Sequence, residues 1–301
     1  MEPLSGRGYS RKRMKQNNLM GLTRINGLIS ILVLTISLFI SSCSVDKKIG
    51  MAFVESPPPI QFLLFPPAEL YKFNHKGEEI PGFDSLSGAR QDSALFYSSK
   101  FVQNINDSAF LEKYVNSFLD EIRKLGFTIY LPEVVDTLLK GQPQVYTLNM
   151  AQLQVDEYTY SYDDEAVFYE TRYIKTVDLD AIDFSVWYEV TKMNTERPHK
   201  TVLYATHTMT DGFDGSFVLD PFSDDVRYRY RVDSISMDDV MTMAFNLGKK
   251  HAGYLYDFFL NQYIAYHMPK GETPYWYYHY NRYTGKLVPV EDEEFQVLDG
   301  R

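Results

Sequence analysis

Six histidines, a few paired carboxylates, a row of arginines and a tyrosine-rich stretch are the groups in this 301-residue chain that could do chemistry. His75, His199, His207, His251, His267 and His279 lie far apart, so no local spacing makes a metal site. His207 falls in a strand pattern and His251 on the inner face of a helix. A pair from neighbouring elements could bind a metal, although a satisfied structural histidine is the commoner use. Asp211-Gly212-Phe213-Asp214-Gly215 offers the oxygen ligands that calcium favours. It lacks the ordered ligand series and closing glutamate of a calcium loop, and an ordinary Asp-Gly turn is the simpler reading. Asp163-Asp164-Glu165 and Glu291-Asp292-Glu293-Glu294 read as solvated turns. A glycosidase carboxylate pair is set by three-dimensional separation, which sequence does not reveal. No Gly-x-Ser-x-Gly elbow, His-Glu-x-x-His helix or glycine-rich phosphate loop occurs, so no cofactor and no metal is expected.

Two features suggest binding. Arg227, Arg229 and Arg231 alternate along a strand pattern and would share one face, able to grip carboxylate or phosphate groups of a glycan or lipid. The blander use of that row is to neutralise an acidic surface or to guard an edge strand. Tyr275, Trp276 and Tyr278 belong to an aromatic cluster reaching Tyr283, which could stack on sugars, cap a partner protein, or pack over a helix as a hairpin.

Cys43 is the only cysteine. Ahead of it stand six basic residues, from Arg7 to Arg24, and one acid, Glu2. Gly27 to Ile40 then carries no charge, and the apolar stretch from Leu28 to Ile40 is shorter than the ~20 residues a membrane-spanning helix needs. Charge, apolarity and small residues in that order make a signal peptide. Ile40-Ser41-Ser42-Cys43 resembles the lipobox of bacterial lipoproteins. The resemblance implies cleavage before Cys43, acylation (palmitate among the chains) of that thiol, and a membrane partner through the lipid. A lone thiol committed to lipid leaves none for a nucleophile or thiolate metal site. Ser44, in place of aspartate, looks like the signal for release to the outer membrane. Surface-exported lipoproteins of the Bacteroidota resemble one another in an acidic run after the cysteine, and Val45-Asp46-Lys47-Lys48 lacks it. A periplasm-facing position is therefore expected. Translation starting at Met20 instead of Met1 would give a more compact leader.

The positioning elements come next. Removing the basic leader leaves an acidic remainder of about 258 residues, which disfavours nucleic acid and anionic lipid as partners. Residues 43–59 form the lipidated cysteine and a tether, polar at first and stiffened by Pro57-Pro58-Pro59. Ile60 to Phe65 reads as a buried strand, and residues 74–93 as a long loop. Phe110, Leu111, Tyr114, Val115, Phe118, Leu119, Ile122 and Leu125 recur on one helical face, with Asn106 or Asp107 as cap and Gly126 as stop. Phe127 to Leu131 is a further strand. Period-two patterns predict strands from Ala151 to Tyr162, Leu179 to Thr191, Lys200 to Thr210 and Val226 to Val232, the second and third joined by a hairpin through Asn194 to Pro198. Ser236 with Asp239 opens a second long helix that runs to about His267, with Gly248 and Gly253 permitting close packing or a bend.

The implied fold class is α+β: a mostly antiparallel sheet with two amphipathic helices packed on one face, plus a small C-terminal hairpin. The α+β domain covers 60–268 after a signal peptide at 1–42, and 269–301 is the aromatic-rich hairpin and tail. This element order resembles periplasmic lipoproteins of the auxiliary or assembly kind, including transporter-associated and curli-type secretion lipoproteins, and is closer still to uncharacterised Bacteroidota lipoproteins. The resemblance transfers no functional residue. Two functions stay open: a non-catalytic binding or assembly component of the envelope, or a hydrolase of glycan or lipid with a catalytic site assembled from distant residues.

Overall fold

The computed structural model describes residues 44–132, 145–193, 198–291 and 294–298. The leader with Cys43 and the connection at 194–197 lie outside the described residues. The class is α+β. A seven-stranded mixed sheet carries the main core, and two further two-stranded ribbons flank it. Four α-helices occur among the described residues, and none of them is long and apolar enough to cross a membrane.

The first helix corrects the expected tether. Val45–Glu55 (α1) packs on the domain, with Asp46, Gly50 and Phe53 buried, Phe53 completely so. Positions i, i+4 and i+7 make one helical stripe. The polar start and the triple proline mask it in the sequence, and the prolines serve only as a short link into β1 (Gln61–Phe65).

β1 also corrects the antiparallel expectation. It pairs in parallel with β3 (Thr128–Tyr130) on one side and with the start of β4 (Val145–Phe168) on the other. β2 (Tyr71–Asn74) is likewise parallel to β4. The reason is topological, because a parallel return needs a long crossover. The chain between β1 and β3 supplies one, with α2 (Gly88–Ser98) and α3 (Asp107–Lys124) inside it. α2 and two short 3-10 turns, Lys76–Glu79 and Phe83–Ser85, also replace much of the expected loop over 74–93. α3 begins as its sequence dictates, with Asn106 Oδ1 accepting from Ala109 N–H, and ends at Gly126, whose φ is +90°.

The antiparallel half is β4, β5 (Thr171–Lys192) and β6 (Lys200–Thr210), extended at its edge by β11 (Gln296–Leu298). β4 and β5 meet through a two-residue turn at Tyr169 and Glu170, both at positive φ, the geometry that matches strand twist. The segment after Asp211 is no simple turn. It becomes β7 (Gly212–Leu219), paired in register with β8 (Val226–Asp233).

Helix α4 (Met237–His267) opens with the expected capping box, Ser236 Oγ accepting from Asp239 N–H and the Asp239 carboxylate accepting from Ser236 N–H. It lies beside α3 on one face of the sheet, through Phe110 on Phe184, Phe118 on Tyr188 and Phe259 on Phe62. Gly248 makes that approach possible: a Cβ there would fall on Ser117 Oγ and the Tyr114 carbonyl. Gly253 meets no such neighbour. The expected C-terminal hairpin is present as β9 (Tyr277–Asn281) and β10 (Lys286–Val290).

Where β4 leaves the helix-covered sheet, Glu157 gathers the surrounding loops. Its fully buried carboxylate accepts from Ser99 Oγ, from the N–H groups of Lys100, Phe101 and Val102, and from Lys76 Nζ at 2.8 Å. Burial alone would raise its pKa, but the ammonium and the three backbone donors more than reverse that and hold it below the ordinary value.

Candidate functional site

The middle of α4 concentrates the ionisable groups. Lys250, His251, Tyr254, Asp257 and Asn261 follow at helical spacing toward β6, β9 and the segment before β11. Asp257 is the unusual member, a carboxylate 1% exposed on the inner face of an apolar helix. Its Oδ1 accepts from Tyr280 N–H at 2.8 Å and its Oδ2 from His279 Nδ1 at 2.6 Å. Glu294 Oε2 stands 3.7 Å from the same Nδ1. Burial pushes Asp257 up against the pull of His279, while the hydrogen bond to Asp257 and then the nearby Glu294 carboxylate raise His279. The pair holds a proton between its two atoms, and the part-exposed imidazole carries the charge. Asn261 fixes β9 alongside by exchanging amide hydrogen bonds with the backbone of Tyr278.

Next to this trio, Tyr114 is within 2.5 Å of the Tyr188 hydroxyl and 2.6 Å of His251 Nδ1. Burial holds both tyrosines protonated and His251 neutral, so the three groups form a chain of uncharged hydrogen bonds. His207 on β6 stacks on His251 with ring centroids 5.5 Å apart, and burial and then Lys250 lower it to about 4. The two histidines read separately in the sequence are therefore neighbours. Beside the trio opens a cleft of about 410 Å³, lined among others by Lys250, Tyr254, His279, Arg282, Tyr283 and Glu294.

A larger cleft, about 670 Å³, lies between α4, the exposed edge of the sheet and the segment leading into β9. Tyr275, 80% exposed, and Trp276 form part of its wall, their rings edge to face at 5.0 Å. Lys200, His199 and Gln262 supply polar groups around them.

Of the residues singled out from the sequence, Tyr275 and Trp276 thus share a cleft. Tyr278 turns inward: its hydroxyl donates to Asp46 Oδ1 at 3.1 Å and meets Ser44 Oγ, so it locks α1 to the hairpin instead of offering a surface. Arg227, Arg229 and Arg231 are exposed on the β7–β8 ribbon, Arg231 paired with Asp233 and Arg227 near Asp220 and Asp225. Cys43 lies outside the described residues. Asp257, His279 and Glu294 were not picked out as a group. The available signal was an acid at an inward position of an amphipathic helix, and Glu294 was hidden in an acidic run read as solvated.

No protein-family model matches this sequence, and no curated protein matches it closely enough to count as a relative.

Proposed function

We propose that the protein is a lipoprotein anchored by acylated Cys43 in the outer membrane, facing the periplasm, and that it is a non-catalytic binding component of the envelope whose ligand is a glycan. The observation that carries the binding reading is the cleft walled by Tyr275 and Trp276. Exposed aromatic faces suit the apolar faces of sugar rings, and the flanking lysine, histidine and glutamine suit their hydroxyls. The contact of Ser44 with Tyr278 supports a short anchor, since the residue after Cys43 is already docked on the domain. The expected result is that the purified full chain retains envelope oligosaccharides in a co-sedimentation assay with sacculi or glycan strands. Trp276→Ala should weaken retention at least about tenfold, in line with the loss of a buried aromatic anchor. Equal retention by the variant and the wild type would reject the cleft. Mass spectrometry of the amino terminus tests the anchor, and an intact Met1 or Met20 end would reject it.

A second reading, an envelope hydrolase with a non-local site, is favoured by the Asp257–His279 pair beside the smaller cleft, since a charged imidazole oriented by a carboxylate is placed to act as a general acid. Turnover of the same oligosaccharides, abolished by His279→Ala, would establish it over simple binding.

A further inference from the structure

Asp257, His279 and Glu294 come together beside the middle of α4 from three separate elements, each offering one ligating atom within 4.8 Å of the others, and Asp257 Oδ2 and Glu294 Oε2 lie 2.6 and 3.7 Å from His279 Nδ1. We propose that they form a binding site for one first-row divalent cation of the zinc class.

The spacing suits such an ion. Protein nitrogen and oxygen ligands sit about 2.0–2.2 Å from zinc, so two of them in tetrahedral geometry are separated by roughly 3.4 Å. The observed separations from Nδ1 are 2.6 Å to Asp257 and 3.7 Å to Glu294, each within about 1 Å of that spacing. One imidazole and two carboxylates favour zinc, manganese or iron over magnesium and calcium, which prefer oxygen alone. Three protein ligands leave at least one position open, and the cleft of about 410 Å³ adjoins it.

Entry of the ion would release the proton shared by Asp257 Oδ2 and His279 Nδ1, while outer bonds hold the ligands in place. Tyr280 N–H takes the other oxygen of Asp257, and Asn261 fixes the backbone next to His279. Such outer bonds orient ligands in metal sites. Glu294 Oε2 is shielded from solvent, yet it makes no hydrogen bond among the described residues. His279 stands 3.7 Å from it, and Lys250 feels its charge at longer range. Arg282 Nε lies 2.6 Å from Glu121, and Lys250 forms no ion pair with Glu294 among the described residues. Two carboxylates around one imidazole are therefore balanced only in part, by the imidazole itself and at longer range by Lys250, and a cation would complete the balance.

The test is calorimetric titration of the full chain, stripped with chelator, with zinc chloride alone and then with manganese, calcium and magnesium chlorides. One zinc per chain is expected, with calcium and magnesium at least about tenfold weaker. Glu294→Gln and His279→Ala should each weaken zinc binding at least about tenfold, and His267→Ala, on the exposed end of α4, should leave it unchanged. Metal-free circular dichroism checks the folding of each variant. If His279→Ala does not fold, Glu294→Gln decides, because its carboxylate has no hydrogen bond at Oε2 to lose. X-ray absorption at the zinc edge should report a shell of nitrogen and oxygen with one imidazole. Absence of stoichiometric zinc, or wild-type affinity in either folded ligand variant, would overturn the site and reduce the trio to a structural ion pair. Glycan retention is read separately, so failure of either assay leaves the other interpretable.

Discussion

The two ends of the β4–β5 hairpin have similar alternation and opposite fates. Near its open end, Phe184 and Tyr188 are buried under α3 and α4. Near its turn, Tyr160, Tyr162, Tyr169 and Ile174 are exposed, Tyr169 by 75%, and the β7–β8 ribbon is the element that meets this arm, through Phe213 on Tyr162 and Tyr228 on Asp164. Alternation states which side chains share a face. It does not state whether anything covers that face. Helices are long enough to cover one end and not the other.

Glu157 stands at the join, and the largest effect is expected there. Glu157→Ala would leave Ser99 Oγ and three backbone donors without their acceptor and Lys76 with Asp180 alone, and unsatisfied buried donors at about 1–3 kcal/mol each make a loss of at least about 3 kcal/mol. Urea denaturation should show a correspondingly lower midpoint with the slope unchanged. If the loss is below about 1 kcal/mol, the cluster is not what holds the loops to the sheet.

A smaller effect separates the two ends directly. Gly248→Ala drives a methyl group into Ser117 and the Tyr114 carbonyl, and overpacking of this kind costs roughly 1–3 kcal/mol. Ile174→Ala on the arm should change stability by no more than about 0.5 kcal/mol, as expected for an exposed side chain away from the core. Thermal melts of the two variants, measured side by side, give the comparison. An arm substitution as damaging as Gly248→Ala would mean that the arm is covered in solution.

This contrast explains what the sequence could and could not convey. Helices α3 and α4 were legible to their caps because Asn106, Gly126, Ser236 and Asp239 act within one turn of the backbone they satisfy. The β4–β5 turn was not, because Tyr169-Glu170 lacks the Asn-Gly chemistry that advertises positive φ. α1 was hidden by its own polar residues, since Asp46 is buried only through bonds to Tyr275 and Tyr278, more than 200 residues away. The candidate sites failed for the same reason. Asp257, His279 and Glu294 meet only after α4, the hairpin and the final strand have packed, whereas Tyr275 and Trp276 are adjacent in sequence and could be noticed together.

The smallest expected effect sharpens the contrast from the covered side. His207 is held near 4 in the folded protein and titrates near 6.5 when unfolded. The unfolded chain therefore takes up a proton first as the pH falls, so this contribution to stability is present above about 6.5 and is lost as pH drops toward 4. His251, lowered by burial and then by His207 and Lys250, acts in the same direction. Asp257, whose folded value is raised by burial to about 7, acts in the opposite direction over the same range, so the total slope does not isolate the histidines. The difference between two proteins does. His207→Gln should lose less stability than the wild type between pH 6.5 and 4.5 in thermal melts, with the two curves converging as pH falls. Parallel curves over that window would show that His207 is solvated and that the middle of α4 is more open than its packing indicates. Tyr169→Ala on the arm removes no histidine and should run parallel to the wild type throughout.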